Sequence, residues 1–206
     1  MAEKACYSFI KPMIWSIFLI WNLPNIITFF RIALIPFFVL FFYIPIPGHH
    51  LITAALFALA GFTDWLDGFI ARRFQQTSKL GAFLDPVADK LMVAVALVVI
   101  VNVYPFWWVA IPAAIIISRE IVVSALREWM AEIGQRAVVK VSMVGKLKTV
   151  CQMCSMVVLL IKPTDLSNPW VIASFILLYV AVLLTVYSMW LYLVAAHHSF
   201  KEVAQD

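Results

Sequence analysis

Six long apolar stretches, separated by short polar or proline-containing segments, dominate the hydrophobic pattern of the chain. A bilayer core about 30 Å thick is crossed by roughly 20 residues of α-helix, and each stretch is close to that length. The pattern therefore predicts six transmembrane helices, at residues 26–44, 51–74, 85–104, 107–130, 141–161 and 170–196. The breaks fall at Pro45, Pro47, Pro105 and Pro163, because proline lacks the N–H that would continue a helix.

The segment before the first span, residues 13–23, is apolar and aromatic but too short to cross a bilayer. Trp15 and Trp21 are suited to a membrane interface, and the segment lacks the small-residue cleavage site of a signal peptide. We expect an interfacial amphipathic helix along the cytoplasmic surface. The chain then divides into an N-terminal extension with this helix (1–25), a membrane domain (26–196) and a cytoplasmic tail (197–206).

Positive charge lies in alternate connections between the predicted spans. Lys and Arg residues precede span one, lie between spans two and three and between four and five, and follow span six: Lys4, Lys11, Arg72, Arg73, Lys79, Arg136, Lys140 and Lys201. The connections at 45–50 and 102–106 contain neither residue type, and the fifth connection has Lys162 beside Asp165. Because cytoplasmic loops are enriched in Lys and Arg, both termini and the loop at 72–79 are expected in the cytoplasm.

Composition agrees with an all-α integral membrane protein. Of the 206 residues, 65% are hydrophobic and 13% are charged, and the mean hydropathy is +0.99. Such a chain has too few polar residues to cover a soluble domain, and disorder or a disulfide scaffold is excluded as well. The net charge of +4 is interpreted as topology signals and contacts with anionic membrane lipids, so no nucleic-acid partner is expected.

Acidic residues inside the predicted helices are the first candidate site. Asp64 and Asp67 lie about 60° apart on span two, and Asp85 and Asp89 are one turn apart on span three. The short connection makes these spans antiparallel neighbours, so the four carboxylates are expected in one pocket near the cytoplasmic ends. Carboxylates this close together would take up protons unless divalent cations neutralised them.

Four carboxylates can neutralise two divalent ions, and paired ions typically clamp a phosphoryl group during displacement. Gly68 and Ala71 share the acidic face and leave room for a nucleotide against the helix, and Arg72 could reach a phosphate. The alternative is that the small residues only allow close helix packing. In that case Arg72, Arg73 and Lys90 would satisfy the aspartates.

Cationic residues form a second candidate site. Arg119 lies about two turns inside span four, whereas Glu120 is expected to project elsewhere, so that Arg119 faces a polar cavity for an anionic substrate. Three further cations lie at cytoplasmic helix ends: Arg127, Lys146 and Lys148. For the two lysines, a role as topology anchors is an equal alternative. Arg31 in span one either contacts a lipid phosphate or extends to the membrane surface.

The acidic pattern resembles the signature of the CDP-alcohol phosphotransferase family. It reads Asp64-x2-Asp67-Gly68-x2-Ala71-Arg72-x8-Gly81-x3-Asp85-x3-Asp89. Further segments, at 22–28, 31, 35–38, 63–68, 81–90, 119–120, 124–130 and 145–149, are similar to those members that join CDP-diacylglycerol to sn-glycerol 3-phosphate and release CMP. A match of this length is much more specific than a single glycine motif.

The resemblance implies a role for each matching residue. Asp64, Asp67, Asp85 and Asp89 would hold two divalent cations, Mg²⁺ or Mn²⁺, and Asp89 would also act as the general base. Gly68, Ala71, Arg72 and Gly81 would line the cytidine diphosphate site, and Arg119, Arg127, Lys146 and Lys148 would bind the acceptor phosphate. It also implies six transmembrane helices, a homodimer, and a bacterial inner membrane enzyme of anionic phospholipid synthesis whose active site faces the cytoplasm.

Three other functions stay open at this point. A sister enzyme of the family could use serine, inositol phosphate or phosphatidylglycerol as its acceptor, and an inactive member could bind substrate only. A divalent-cation transporter also places carboxylates in membrane helices, but transporters commonly have two repeated halves. Here the acids lie on two adjacent spans without a counterpart in the second half, which favours an enzyme.

Overall fold

The computed structural model describes residues 23–74, 79–132, 143–161 and 166–203. Within these ranges it describes the backbone alone for residues 23–24, 65, 67–74, 79–83, 131–132, 143–144, 146 and 195–203. The described chain forms six α-helices and no strand. In chain order they are α1 (Leu23–Tyr43), α2 (His49–Phe74), α3 (Lys79–Val103), α4 (Trp107–Glu132), α5 (Met143–Ile161) and α6 (Pro169–Val203).

The predicted all-α membrane fold is confirmed. Four helices contain stretches long and apolar enough to cross a bilayer, namely Asn25–Tyr43, Leu84–Val103, Trp107–Met130 and Pro169–Val194, and Leu147–Ile161 is a shorter apolar helix. At 26 residues, α2 has the length of a membrane span, but its second half carries the acidic motif. The predicted interfacial helix lies outside the described residues except for its last position.

Two helices differ from their predicted bounds by more than four residues at one end. The third begins at Lys79 rather than at residue 85, and it continues through Pro86. Proline removes one hydrogen bond of the helix ladder, but neighbouring helices allow a membrane helix to tolerate this loss. The sixth continues beyond residue 196 to Val203. Asp85 and Asp89 therefore lie within a helix that has already begun, and not at its first turn.

Local backbone chemistry explains two of the connections. Between α1 and α2, Gly48 has a φ of +78°, a conformation that glycine adopts without the steric cost of a Cβ atom. Its carbonyl accepts the first hydrogen bond of α2, from the amide of Leu51 at 3.0 Å. Before α6, the Asn168 side chain accepts a hydrogen bond from the Trp170 amide at 3.0 Å, and Pro169 takes the first helical position. An Asn cap followed by proline at the first helical position is typical of helix starts.

The helices belong to two compact units, Met1–Val95 and Ala96–Asp206. In the first unit α1 packs along α2, where the fully buried rings of Phe38 and Phe57 have centroids 6.2 Å apart. In the second unit α6 packs against both α4 and α5. There the Ser155 hydroxyl donates to the Ser174 carbonyl at 2.7 Å, a contact that brings α5 close to α6.

Large apolar side chains are exposed along the outside of several helices. On α6 alone, Trp170, Leu183 and Trp190 are each more than 60% exposed. In water this surface would be strongly unfavourable, whereas lipid acyl chains are as apolar as these side chains. These exposed apolar side chains of the described helices are therefore suited to face lipid, which agrees with a multi-pass membrane protein.

Candidate active site

Three polar residues lie on one face of the apolar helix α1. Asn25, Thr28 and Arg31 follow each other at intervals of three, and each is at most 1% exposed. Residues at this spacing are neighbours on a helix surface. A buried polar stripe in a membrane helix needs hydrogen-bond partners, because an unsatisfied polar group costs several kcal/mol in an apolar environment.

The partner of Arg31 is Asp64 on α2. The Nη1 atom of Arg31 lies 2.9 Å from Oδ1 of Asp64, where it forms a salt bridge. The Arg31 side chain is 1% exposed and that of Asp64 is 46% exposed. A carboxylate that is half open can therefore take up another ligand while it neutralises the buried guanidinium.

Thr28 holds a second acid in the same way. Its hydroxyl donates a hydrogen bond to Oδ1 of Asp85, which comes from α3. Thr28 and Arg31 are one turn apart on α1, about 4.5 Å along the helix axis. One turn of α1 therefore contacts acidic residues from two different helices, and this brings Asp64 and Asp85 to the same part of the first unit.

The other predicted acidic and nucleotide positions are placed less completely. Asp89 is exposed on α3, one turn after Asp85. Asp67, Gly68, Ala71 and Arg72 lie on α2, and Gly81 lies on α3, but their side chains are outside the described part.

The residues present suit a divalent cation in their chemistry. Asp64 and Asp85 offer hard carboxylate oxygens from two helices, and each uses Oδ1 for its contact with α1. Among the side chains that are described, which exclude Asp67, no three acidic, His or Cys residues form a group able to hold a metal ion. Asp64 and Asp85 would therefore supply part of the ligand set of a cation, and Asp67 and Asp89 would have to complete it.

Two sequence interpretations concern the partners of these groups. The idea that Arg31 extends to the membrane surface is wrong, because its side chain is buried against Asp64. The alternative in which Arg72, Arg73 and Lys90 neutralise the aspartates omitted Arg31. In the structure, Arg31 is the observed partner of Asp64. The spacing of Asn25, Thr28 and Arg31 on one face of an apolar helix was the available signal for this site.

The second unit contains a cluster of charges around Glu120. Oε1 of Glu120 accepts hydrogen bonds from Nη1 of Arg119 at 2.7 Å and from Nζ of Lys148 at 2.6 Å. Nη2 of Arg119 donates to the Ser188 hydroxyl at 3.1 Å, and that hydroxyl donates to the Thr185 carbonyl at 2.9 Å. The cluster therefore joins α4, α5 and α6.

The expectation that Glu120 projects away from Arg119 is wrong. Adjacent helix residues differ by about 100° in direction at Cβ, but both side chains are long enough to bend toward each other. Inside a membrane protein, the attraction between opposite charges favours this bend. Sequence reasoning missed Glu120 as a partner because it considered only the direction in which each side chain leaves the helix, and it missed Ser188 because periodicity does not show which residues of α6 meet α4.

The four predicted acceptor-site cations differ in their surroundings. Lys148 is only 4% exposed, so it is not the surface anchor that was the alternative for this residue. Arg119 is 9% exposed, whereas Arg127 is exposed two turns farther along α4. The Lys146 side chain lies outside the described residues. The structure thus brings Arg119 and Lys148 together through Glu120.

Comparison with known proteins gives consistent matches over most of the chain. The profile of the CDP-alcohol phosphatidyltransferase family matches residues 21–187. A CDP-diacylglycerol--glycerol-3-phosphate 3-phosphatidyltransferase of Pectobacterium atrosepticum is 53% identical over 181 residues, which are 88% of this chain and 98% of the relative. Proteins of the same name from Sodalis glossinidius and Yersinia pestis are 54% and 55% identical over the same coverage.

A double-mutant cycle tests the salt bridge between α1 and α2. Arg31→Met and Asp64→Asn each remove one partner, and we expect a coupling energy of about 1–3 kcal/mol between them, because the two groups are in direct contact. Thermal unfolding of the purified protein in detergent, compared among wild type, both single variants and the double variant, measures this coupling. Additive effects of the two substitutions would contradict the contact.

Proposed function

The chain belongs to the CDP-alcohol phosphatidyltransferase family, and we propose that it transfers the phosphatidyl group of CDP-diacylglycerol to sn-glycerol 3-phosphate. The products are phosphatidylglycerophosphate and CMP, and the reaction belongs to anionic phospholipid synthesis. The structural observation that carries the proposal is the convergence of Asp64 and Asp85, from two helices, on one turn of α1. Both acids belong to the motif that the resemblance assigns to cation and diphosphate binding.

The acidic motif would hold the cations of this enzyme. Members of the family generally use divalent cations. Here Asp64, Asp67, Asp85 and Asp89 would bind two of them, Mg²⁺ or Mn²⁺, since these ions prefer carboxylate oxygens. When bound, the cations supply electrostatic stabilisation to the negative charge that develops on the diphosphate and on departing CMP. Arg31 and Thr28 would keep two of the four carboxylates in position for this task.

Asp89 would be the general base. Its carboxylate accepts the proton of the primary hydroxyl of glycerol 3-phosphate, and the resulting oxygen attacks the β-phosphorus of CDP-diacylglycerol. The bond from that phosphorus to the bridging oxygen breaks, and CMP leaves with the electron pair. The exposure of Asp89 on α3 supports this role, because a base must be within reach of the acceptor hydroxyl.

The donor substrate would lie against the small residues of α2 and α3. Gly68, Ala71 and Gly81 leave room for the nucleotide beside the helix backbone, and Arg72 would bind a phosphate oxygen. Arg31 would contribute as well: its Nε and Nη2 atoms are buried without a hydrogen-bond partner among the described residues. These two nitrogens form one edge of the guanidinium, which suits two oxygens of a lipid phosphate.

The acceptor phosphate would be bound by Arg119, Arg127, Lys146 and Lys148. This concentration of positive charge favours a phosphorylated acceptor over serine. A sister enzyme with another acceptor remains the second candidate, because inositol phosphate carries the same anionic group. The family assignment argues against a transporter, whose function would not require binding a nucleotide.

Location and assembly complete the proposal. The relatives are bacterial, and this chain is a multi-pass membrane protein, so we propose the bacterial cytoplasmic membrane. Both termini and the active site would face the cytoplasm, as the Lys and Arg distribution indicates. A homodimer surrounded by membrane lipids is the assembly that the resemblance implies.

CMP release by the purified protein tests the reaction. CDP-diacylglycerol and Mg²⁺ are supplied together with one acceptor at a time: glycerol 3-phosphate, serine, inositol phosphate or phosphatidylglycerol. We expect CMP release when glycerol 3-phosphate is the acceptor and none with the other three acceptors. We also expect EDTA to abolish this release. Release only with another acceptor would identify a sister enzyme, and no release with any acceptor would contradict the assignment as an active transferase.

Substitution of the proposed base separates chemistry from binding. Asp89→Asn keeps the size of the side chain but cannot accept the proton, so we expect kcat to fall by about 10²- to 10⁴-fold. Binding of CDP-diacylglycerol, measured by calorimetry, should change little. Asp67→Asn is the comparison, since it should also raise the Mg²⁺ concentration needed for half-maximal rate. Normal turnover of Asp89→Asn would show that the base is a different residue.

A further inference from the structure

Glu120 occupies an unexpected position for a carboxylate, because both of its partners are residues proposed to bind an anion. One oxygen, Oε1, accepts hydrogen bonds from Arg119 and from Lys148 at 2.7 and 2.6 Å. The Glu120 side chain is 25% exposed, whereas those of Arg119 and Lys148 are 10% and 5% exposed. The carboxylate therefore connects two buried cations that come from α4 and α5.

The geometry of Arg119 is fixed from two sides. Glu120 binds Nη1, and Ser188 of α6 accepts a hydrogen bond from Nη2 at 3.1 Å. The Ser188 hydroxyl in turn donates to the Thr185 carbonyl, which orients its lone pairs toward the guanidinium. Nε of Arg119 is buried and has no hydrogen-bond partner among the described residues. An oxyanion that reaches this edge of the guanidinium would satisfy that donor.

The charges of the cluster explain why a carboxylate is needed there. Two cations this close repel each other, and the repulsion is strong where the surroundings are apolar. Glu120 offsets the repulsion and leaves the group of three with a net charge of +1. Arg119 has five N–H donors, and its Nε has no hydrogen-bond partner among the described residues, so the guanidinium keeps a donor for an incoming anion, to which Lys148 contributes its positive charge.

We propose that Glu120 is the positioning residue of the acceptor-phosphate site, a role that rests on the proposed function. It does not contact the substrate. By holding Arg119 and Lys148 on one oxygen, it keeps the Nε donor of Arg119 and the positive charge of Lys148 beside the same phosphate group. The ligand class is a phosphate monoester, because a guanidinium donor and a net positive charge fit a compact dianion.

A positioning role for Glu120 and an effect of net charge alone predict opposite changes in anion binding when the Glu120 carboxylate is removed. If only the net charge mattered, removal of the Glu120 carboxylate would strengthen anion binding, since one repulsive charge would be lost. If Glu120 positions the two cations, its removal weakens anion binding, because they repel each other and separate. A fall in acceptor affinity therefore indicates positioning by Glu120, whereas a rise indicates an effect of net charge alone.

Glu120→Gln in the full-length protein is the direct test. Glutamine keeps an oxygen that can accept both hydrogen bonds but lacks the negative charge that holds the two cations together, so the KM for glycerol 3-phosphate should rise by about tenfold or more. The KM for CDP-diacylglycerol should stay within about twofold, since interactions confined to the acceptor do not affect donor binding. Glu120→Asp retains the charge on a shorter side chain and should restore part of the affinity. Glu128→Gln, an exposed position on the same helix, is the matched control and should change neither KM.

Ser188→Ala provides a second test that keeps Glu120 in place. It removes the hydrogen bond to Nη2 of Arg119, so it should also raise the KM for glycerol 3-phosphate selectively, by a smaller factor. An unchanged or lowered KM for glycerol 3-phosphate in Glu120→Gln would overturn the proposal. So would equal changes in both KM values, because these indicate a merely structural role. If Glu120→Gln does not fold, the same criteria apply to Glu120→Asp and Ser188→Ala.

Direct measurement of phosphate binding tests the role of Glu120 independently of the proposed transferase activity. Calorimetric titration of glycerol 3-phosphate and of inorganic phosphate needs no turnover. If the wild type releases no CMP with glycerol 3-phosphate, the proposed function fails, and inorganic phosphate becomes the probe. Weaker phosphate binding by Glu120→Gln than by wild type and Glu128→Gln would then still support the positioning role. Equal or tighter binding would overturn it.

Discussion

The salt bridge between Arg31 and Asp64 is the interaction on which the acidic site depends. A guanidinium that is 1% exposed in a membrane helix is stable only beside a negative charge, and Asp64 of α2 provides it at 2.9 Å. One turn away, Thr28 donates to Asp85 of α3. The first helix therefore does more than cross the membrane, because its polar face fixes the positions of two carboxylates that the proposed reaction requires.

The same physical rule organises the second unit. Arg119 and Lys148 are buried cations, and Glu120 accepts a hydrogen bond from each with one oxygen, which leaves a net charge of +1. In each unit, a charge inside the helices is paired with a group from another helix, and the pair stays partly open. Partial exposure leaves room for substrate groups, as expected for a site that must bind a diphosphate or a phosphate as well as pair its own buried charges.

The sequence predicted the helices well because apolar length is a direct requirement of the bilayer. It also predicted that the acidic motif is divided between two successive helices. It did not predict the partners of Asp64 and Asp85, since hydropathy does not tell which face of α1 meets α2 or α3. Glu120 was misjudged for a related reason: helical periodicity gives the direction of Cβ, whereas a long side chain bends toward the charge that stabilises it.

The central claim is that the acids gathered around α1 bind divalent cations. Titration of the purified protein with Mn²⁺ in the presence of CDP, followed by electron paramagnetic resonance of the free ion, measures this directly. We expect about two Mn²⁺ ions per chain, since four carboxylates can neutralise two such ions. Asp64→Asn should reduce the number or the affinity of the bound ions. Absence of saturable Mn²⁺ binding, or the same binding by Asp64→Asn as by wild type, would contradict the claim.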